Sequence, residues 1–150
     1  ADNQEFKFTA ERNWDNGDWG GSEGSLEPGG SNLSIENAGY YKINVDIPNL
    51  TYELLATDWG LIGDATPGGW DGDTDMTYDP ADKVWRLTVD LTEGFIKFRA
   101  NDAWDLNYGS NEANGTLQAG GSDIPIEEAG NYTVELDLSD PVYRYSLELN

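Results

Sequence analysis

Positive charge is scarce in this 150-residue sequence, and two of its cations occur close together. Lys and Arg number 8 against 29 Asp and Glu, yet Lys97 and Arg99 alternate in IKFRAN, which leads into the loop NDAWDLNYG. Alternate residues of a strand share a face, so Lys97, Arg99 and Asn101 would project together while the apolar residues between them face the core. Ammonium, guanidinium and amide groups donate hydrogen bonds to hydroxyls. This face could therefore bind a sugar, although a salt bridge from Arg99 to a nearby Asp explains it equally well.

Exposed aromatic rings supply the other half of a sugar site, because the C–H face of a sugar needs a flat apolar surface. Trp70 lies in the turn-rich segment PGGWDGD and Trp104 lies between polar residues, so both rings have little core to enter. The sequence predicts a platform of Trp70 and Trp104, with Tyr108 or Tyr78 as a third member. The predicted carbohydrate-binding residues are Trp70, Lys97, Arg99, Asn101, Trp104, Asp105, Asn107 and Tyr108.

The acidic run DGDTDMTYDPAD is a candidate calcium loop, because its Asp residues fall at five of the places that bind calcium in an EF-hand. The sixth place, however, carries Met76 where a sharp turn needs Gly, and the twelfth carries Asp82 in place of a bidentate Glu. We therefore predict neither a metal site nor a cofactor.

Composition excludes several functional classes. The net charge is 8 − 29 = −21, and such a chain is repelled by nucleic acid and by anionic membrane surfaces. The absence of His and Cys removes disulfides, zinc–thiolate sites and the commonest general base. A glycosidase with paired carboxylates remains formally possible, but the acids are scattered along the chain and no catalytic residue is predicted.

Alternation of apolar and polar residues at period two predicts strands, seven of them between residues 57 and 150. The clearest are VWRLTVDL, FIKFRA, NYTVELDL and VYRYSLEL, and turn signals separate them. Trp59 and Trp85 lie in such strands and are predicted to be core residues. The predicted fold is all-β, an antiparallel β-sandwich of immunoglobulin-like type with almost no helix.

An internal repeat organises the chain. FKFTAERNWDNGDW from Phe6 matches IKFRANDAWDLNYG from Ile96, and SIENAGYYKINVDI from Ser34 matches PIEEAGNYTVELDL from Pro125. Residues 57–150 are therefore predicted to form one complete module, and residues 1–56 the second half of a preceding one. A half-module exposes strand edges, so we expect it to pack on the complete module or to self-associate.

Three segments carry a resemblance to a known family: GLIGDATPGGWD from Gly60, DMTYDPADKVWRLTVDL from Asp75 and IKFRANDAWDLNYG from Ile96. With these segments, the sequence resembles the repeated modules of SusE/SusF-type outer-membrane starch-binding proteins. Those modules are related to pullulanase-associated modules. The resemblance implies a non-catalytic module that binds starch or maltooligosaccharide. It further implies a polysaccharide-utilisation lipoprotein on the outer surface of the outer membrane, with its lipid anchor outside this segment and no insertion of this segment into the bilayer. A structural spacer or adhesion module, or a binder of another neutral polysaccharide such as xylan, stays open as an alternative.

Overall fold

A computed structural model describes residues 4–150, in which there are strands and turns but no helix. Every strand pair is antiparallel. The prediction of an all-β antiparallel fold is thus confirmed. Within residues 4–150, no helix has the length and apolar character that crossing a membrane would require.

The chain divides into two compact units, one that ends at Thr57 and one that spans Asp58–Asn150. Residues 1–3 of the predicted half-module lie outside the described residues. The strands of the first unit are β1 (Gln4–Phe6), β2 (Phe8–Glu11), β3 (Asn13–Ser22), β4 (Ser25–Pro28), β5 (Leu33–Ile35), β6 (Tyr41–Asp46) and β7 (Thr51–Ala56). They form a two-stranded sheet, β1-β5, and a five-stranded sheet in the order β2-β3-β4-β7-β6. Strands β3 and β4 were not predicted, because the glycines of β3 resemble turn signals.

The second unit has ten strands in two sheets. The strands are β8 (Trp59–Gly63), β9 (Gly69–Asp75), β10 (Thr77–Asp79), β11 (Val84–Leu91), β12 (Gly94–Ala100), β13 (Asn107–Gly109), β14 (Gln118–Ala119), β15 (Ile124–Ile126), β16 (Gly130–Asp137) and β17 (Arg144–Leu149). One sheet has the order β10-β11-β16-β17 and the other β14-β13-β12-β8-β9, with β15 paired to the start of β12.

Apolar residues from both sheets of the second unit are buried, as expected for the two inner faces of a sandwich. Ile96 and Phe98 of β12 are inaccessible to solvent, and so are Val134 and Leu136 of β16. The Phe98 ring also meets Tyr145 of β17 at a centroid distance of 6.1 Å, a contact that links the two sheets. This packing is consistent with a β-sandwich, and the immunoglobulin-like arrangement stays a prediction.

The two predicted core tryptophans, Trp59 and Trp85, are both buried, which confirms that prediction. Strand β9 was missed because its sequence, GWDGDTD, contains two glycines and no alternating apolar residues. It forms at the sheet edge through pairing with β8, where Leu61 lies opposite Thr74 and Gly60 opposite Asp75. An edge strand whose residues stay exposed or half-buried does not need an apolar pattern, because backbone pairing positions it. Trp70 is therefore on a strand, and its placement in a loop was wrong.

Corresponding hydrogen bonds occur at repeat-related positions of the two units. The bond from Gly30 N to Glu27 O corresponds to that from Gly121 N to Gln118 O, and the bond from Tyr52 N to Gly24 O corresponds to that from Tyr145 N to Gly115 O. Likewise, the bond from Tyr41 Oη to Asn37 O corresponds to that from Tyr132 Oη to Glu128 O. Equivalent positions of the two units can therefore be compared residue by residue, with β6 corresponding to β16 and β2 to the second half of β12.

Candidate functional site

Trp70 and Trp104 form a pair of exposed rings on the second unit. Their centroids are 6.2 Å apart with an angle of 32° between the ring planes. The Trp70 residue is 38% exposed and Trp104 is 47% exposed. Trp70 is supplied by edge strand β9, and Trp104 by the loop that connects β12 to β13. The structure thus places side by side two rings that are 34 residues apart in the sequence, and we call this pair the Trp platform.

Residues on the two flanking strands hold Trp104 in place. Asn107 Nδ2 donates a 2.8 Å hydrogen bond to the Trp104 carbonyl oxygen, which closes the loop. The Arg99 guanidinium carbon lies 4.8 Å from the Trp104 ring centroid, and Lys97 Nζ lies 5.9 Å from it. Cations at these distances are attracted to the ring quadrupole. Arg99 and Asn107 also lie directly opposite each other in the β12–β13 register, so both supports come from paired strands.

Arg99 forms a buried ion pair, which corrects its prediction as a hydroxyl donor. Its Nε donates to both carboxylate oxygens of Asp73, at 2.7 and 3.0 Å. The side chains of Arg99 and Asp73 are only 8% and 2% exposed, respectively. The salt-bridge interpretation is thus the one that the structure supports, and Arg99 contributes to the site by supporting the Trp104 ring.

Gly60 makes room for this ion pair. It lies on β8, between β12 and β9, and pairs with Arg99 on one side and Asp75 on the other. A Cβ atom at position 60 would be 2.7 Å from the Cβ of Asp73, closer than carbon atoms normally approach. The absence of a side chain at Gly60 therefore lets Asp73 and Arg99 meet across the intervening strand.

The Asp73 carboxyl is in an unfavourable environment for its charge. Burial raises the pKa of Asp73, the hydrogen bond and charge of Arg99 oppose that rise, and nearby Asp102 adds to it. The net direction is upward because loss of hydration disfavours the carboxylate. Sequence analysis considered Asp73 only as a calcium ligand and did not single out Asp102, because nothing in the neighbouring sequence signals that the Asp73 carboxylate is buried. Beside them is a cleft of about 340 Å³ lined by Asp58, Trp59, Gly60, Asp73, Asp75, Met76, Asn101 and Asp102.

Asn101 is not part of strand β12, so the predicted strand alternation of Lys97, Arg99 and Asn101 ends at Arg99. Strand β12 ends at Ala100, and Asn101 has a left-handed φ of 57°. Its Oδ1 accepts a hydrogen bond from the Asp58 backbone N–H at 2.8 Å, and its own N–H donates to the Asp58 carbonyl at 2.8 Å. Asn is among the residues that adopt this backbone conformation most readily, and here it shapes the turn that carries Trp104.

Tyr108 is a core residue, which corrects its inclusion in the site. It lies opposite Phe98, and its ring stacks on Trp59 at a centroid distance of 5.3 Å. Tyr78, the other suggested third ring, belongs to the opposite sheet and contacts Trp85 at 5.4 Å. The register explains the error, because Asn107 faces the same way as Arg99 and Tyr108 therefore faces the same way as Phe98.

The remaining predicted residues lie near the Trp platform. Asp105 is exposed in the loop next to Trp104. Lys97 is half-buried and, within residues 4–150, forms no ion pair. Lys97, Arg99, Asn107 and the two tryptophans are thus brought together, and only Asn101 and Tyr108 of the predicted set have other surroundings.

The acidic run does not form a calcium loop. Most of its residues belong to β9 and β10, and its carboxylates bind different cations: Asp73 binds Arg99, whereas Asp79 and Asp82 bind Arg86. Among residues 4–150, no group of three or more acidic side chains has the geometry to hold a metal ion.

The corresponding surface of the first unit lacks these supports. Trp14, the counterpart of Trp104, is 66% exposed, and Thr9 occupies the position of Arg99. Lys7, the counterpart of Lys97, is bound to Asp18. The described part of this unit has no strand equivalent to β9 and therefore no second ring in the place of Trp70.

Comparison with known proteins does not identify the chain: no family model matches it, and no curated protein matches it significantly. Its chemistry must therefore be derived from the site. Two adjacent exposed rings, one ammonium group and one exposed carboxylate can bind an uncharged ligand that has both apolar faces and hydroxyls.

Proposed function

We propose that the second unit is a non-catalytic carbohydrate-binding module that holds an α-glucan such as starch or maltooligosaccharide. The observation that carries this proposal is the Trp platform, two neighbouring rings that are each more than one-third exposed. Large rings are costly to expose and are rarely left adjacent to each other on a surface without a ligand. Trp also dominates binding hot spots, because it offers a large contact area with few rotatable bonds.

The surroundings of the Trp platform favour binding by a preformed surface. Trp70 belongs to a paired strand, and the Asn107 hydrogen bond and the Arg99 contact restrain Trp104. Restraint before binding lowers the entropy that is lost on binding. Lys97 and Asp105 lie beside Trp104 and supply a donor and an acceptor for sugar hydroxyls. Both groups are polar partners of the kind that fix ligand orientation.

The choice of α-glucan among neutral polysaccharides rests on the resemblance to SusE/SusF-type modules. As part of this proposal, the protein is a starch-binding lipoprotein on the outer surface of the outer membrane.

Affinity electrophoresis in gels containing amylopectin tests the proposal. Wild-type chain should be retarded, with a Kd for maltoheptaose between about 10 μM and 1 mM by calorimetry, typical of a shallow site after the costs of association. Trp104→Ala and Trp70→Ala should each weaken binding by about 30-fold or more, the effect of losing a hot-spot ring. Trp14→Ala is the matched control, because it removes the counterpart of Trp104 in the first unit, and it should bind like wild type.

Four other outcomes of these experiments would contradict a part of the proposal. Unchanged retardation of Trp104→Ala would refute the site, and no retardation of wild type on any polysaccharide would favour a spacer or adhesion module. Retardation on xylan with none on amylopectin would refute the choice of glucan. Release of reducing sugar from starch would contradict the non-catalytic proposal.

A further inference from the structure

The five-stranded sheet of the first unit has an open edge at β6. Its order is β2-β3-β4-β7-β6, so within residues 4–57 no strand pairs with the outer side of β6. The corresponding strand of the second unit, β16, is paired on that side with β11 over seven residue pairs, from Trp85↔Leu136 to Leu91↔Gly130. Unpaired N–H and C=O groups on an exposed edge are a template for an additional strand.

The face of β6 is also open. Ile43 and Val45 are 43% and 45% exposed, whereas their counterparts in the second unit, Val134 and Leu136, are inaccessible to solvent. The same positions therefore carry apolar residues in both units, and only the second unit covers them. In the second unit, the residues of the paired strand β11 that alternate toward the core are Trp85, Leu87, Val89 and Leu91.

The opposite end of the sheet is open in the same way. Strand β2 pairs only with β3, whereas the equivalent part of β12 also pairs with β8, where Phe98 lies opposite Leu61 and Arg99 opposite Gly60. In the second unit one continuous segment, Trp59–Leu91, contains both β8 and β11 and so supplies both missing partners.

Charge at the β6 edge suits the same strand. In the second unit Arg86 of β11 binds Glu135 of β16 at 2.7 Å. In the first unit the position of Glu135 is taken by Asn44, which donates a 3.0 Å hydrogen bond to the carboxylate of Glu53 on β7. Glu53 thus supplies, one strand away, the negative charge that an incoming Arg would meet.

We propose that the first unit is an acceptor for the first half of a module of this kind, a segment with two strands patterned like β8 and β11. Its second strand pairs antiparallel with β6, so that residues equivalent to Leu87 and Val89 cover Ile43 and Tyr41. Main-chain hydrogen bonds to the edge provide affinity, and the apolar row provides specificity.

A labelled peptide tests this pairing with the complete 150-residue chain. A fluorescein-labelled peptide of residues 82–93, which contains β11, should bind the chain in an anisotropy titration, and hydrogen exchange should slow at Tyr41–Asp46. Ile43→Asp should weaken binding by about tenfold or more, because the strand would then bury an unpaired charge. Lys42→Gln, on the opposite face of β6, is the control and should bind like wild type. A peptide carrying Leu87→Asp should bind as weakly as the Ile43→Asp chain binds the original peptide.

Three results would overturn the proposal. Protection of residues 130–137 with none at 41–46 would show exchange into the second unit. Sedimentation could instead show that the chain forms a dimer that does not bind the peptide and that Ile43→Asp dissociates. A second copy of the chain would then be the partner of the β6 edge. Failure of a monomeric chain to bind either the peptide or a longer fragment of residues 57–93 would show that the open edge does not accept such a strand.

Discussion

The substitution Asp73→Asn tests whether a buried ion pair supports the Trp platform. Asp73 and Arg99 have side chains that are 2% and 8% exposed, and removing one partner of a buried pair costs about 3–5 kcal/mol. Asn keeps the volume and one acceptor for Arg99 Nε, and a hydrogen bond from a charged donor contributes about 1.5–3 kcal/mol. We therefore expect Asp73→Asn to lower the unfolding free energy of the second unit by about 1–3 kcal/mol, as the difference of these two effects.

Asp82→Asn is the matched control, because Asp82 pairs with Arg86 on the surface and its side chain is 62% exposed. The same chemical change there should cost less than about 1 kcal/mol. Both variants are compared by urea unfolding, since urea, unlike guanidinium chloride, does not screen the charges under study. An equal loss of unfolding free energy in the two variants would refute the conclusion that the Asp73–Arg99 pair contributes more to stability than a surface ion pair does.

The double variant Asp73→Asn, Arg99→Leu separates stability from ligand binding. Replacing both charges removes the unpaired cation, so much of the lost stability should return. Leu cannot replace the cation–π contact of Arg99 with Trp104, which is worth about 1 kcal/mol, so the Kd for maltoheptaose should rise by about fivefold. A double variant that binds as tightly as wild type would show that Arg99 does not position Trp104.

One further prediction concerns the same pair. Gly60→Ala places a Cβ atom 2.7 Å from the Asp73 Cβ and should destabilise the second unit by about 1–3 kcal/mol in thermal unfolding. Gly72→Ala, whose added Cβ meets nothing within 4 Å, is the control and should change stability by less than about 0.5 kcal/mol. Equal effects of the two substitutions would contradict the packing argument.

Sequence patterns correctly predicted those features of the fold that depend on neighbouring residues along the chain. Alternation at period two predicted β11, β12 and β16, because each strand buries one face and the side chains must alternate to do so. The same alternation predicted the burial of Trp59 and Trp85, and the turn and polar surroundings of Trp70 and Trp104 predicted their exposure.

Patterns failed where a residue depends on a partner that is distant in the chain. Strand β9 exists because β8 offers an edge to pair with, although its own sequence resembles a turn. Tyr108 was assigned to the site because the segment NDAWDLNYG follows the strand that carries Lys97 and Arg99, whereas its pairing opposite Phe98 turns its ring into the core.

The sequence by itself therefore determined an acidic all-β chain with an internal repeat and two tryptophans that have no core to enter, since composition, periodicity and self-similarity are properties of neighbouring residues. Tertiary structure decided that those two rings lie 6.2 Å apart, that Arg99 supports Trp104, and that Asp73 holds Arg99 across Gly60. Trp70 and Trp104 are 34 positions apart in the sequence, and Asp73 and Arg99 are 26 positions apart. Only the register of β12, β8 and β9 brings them together, and no local pattern encodes that register.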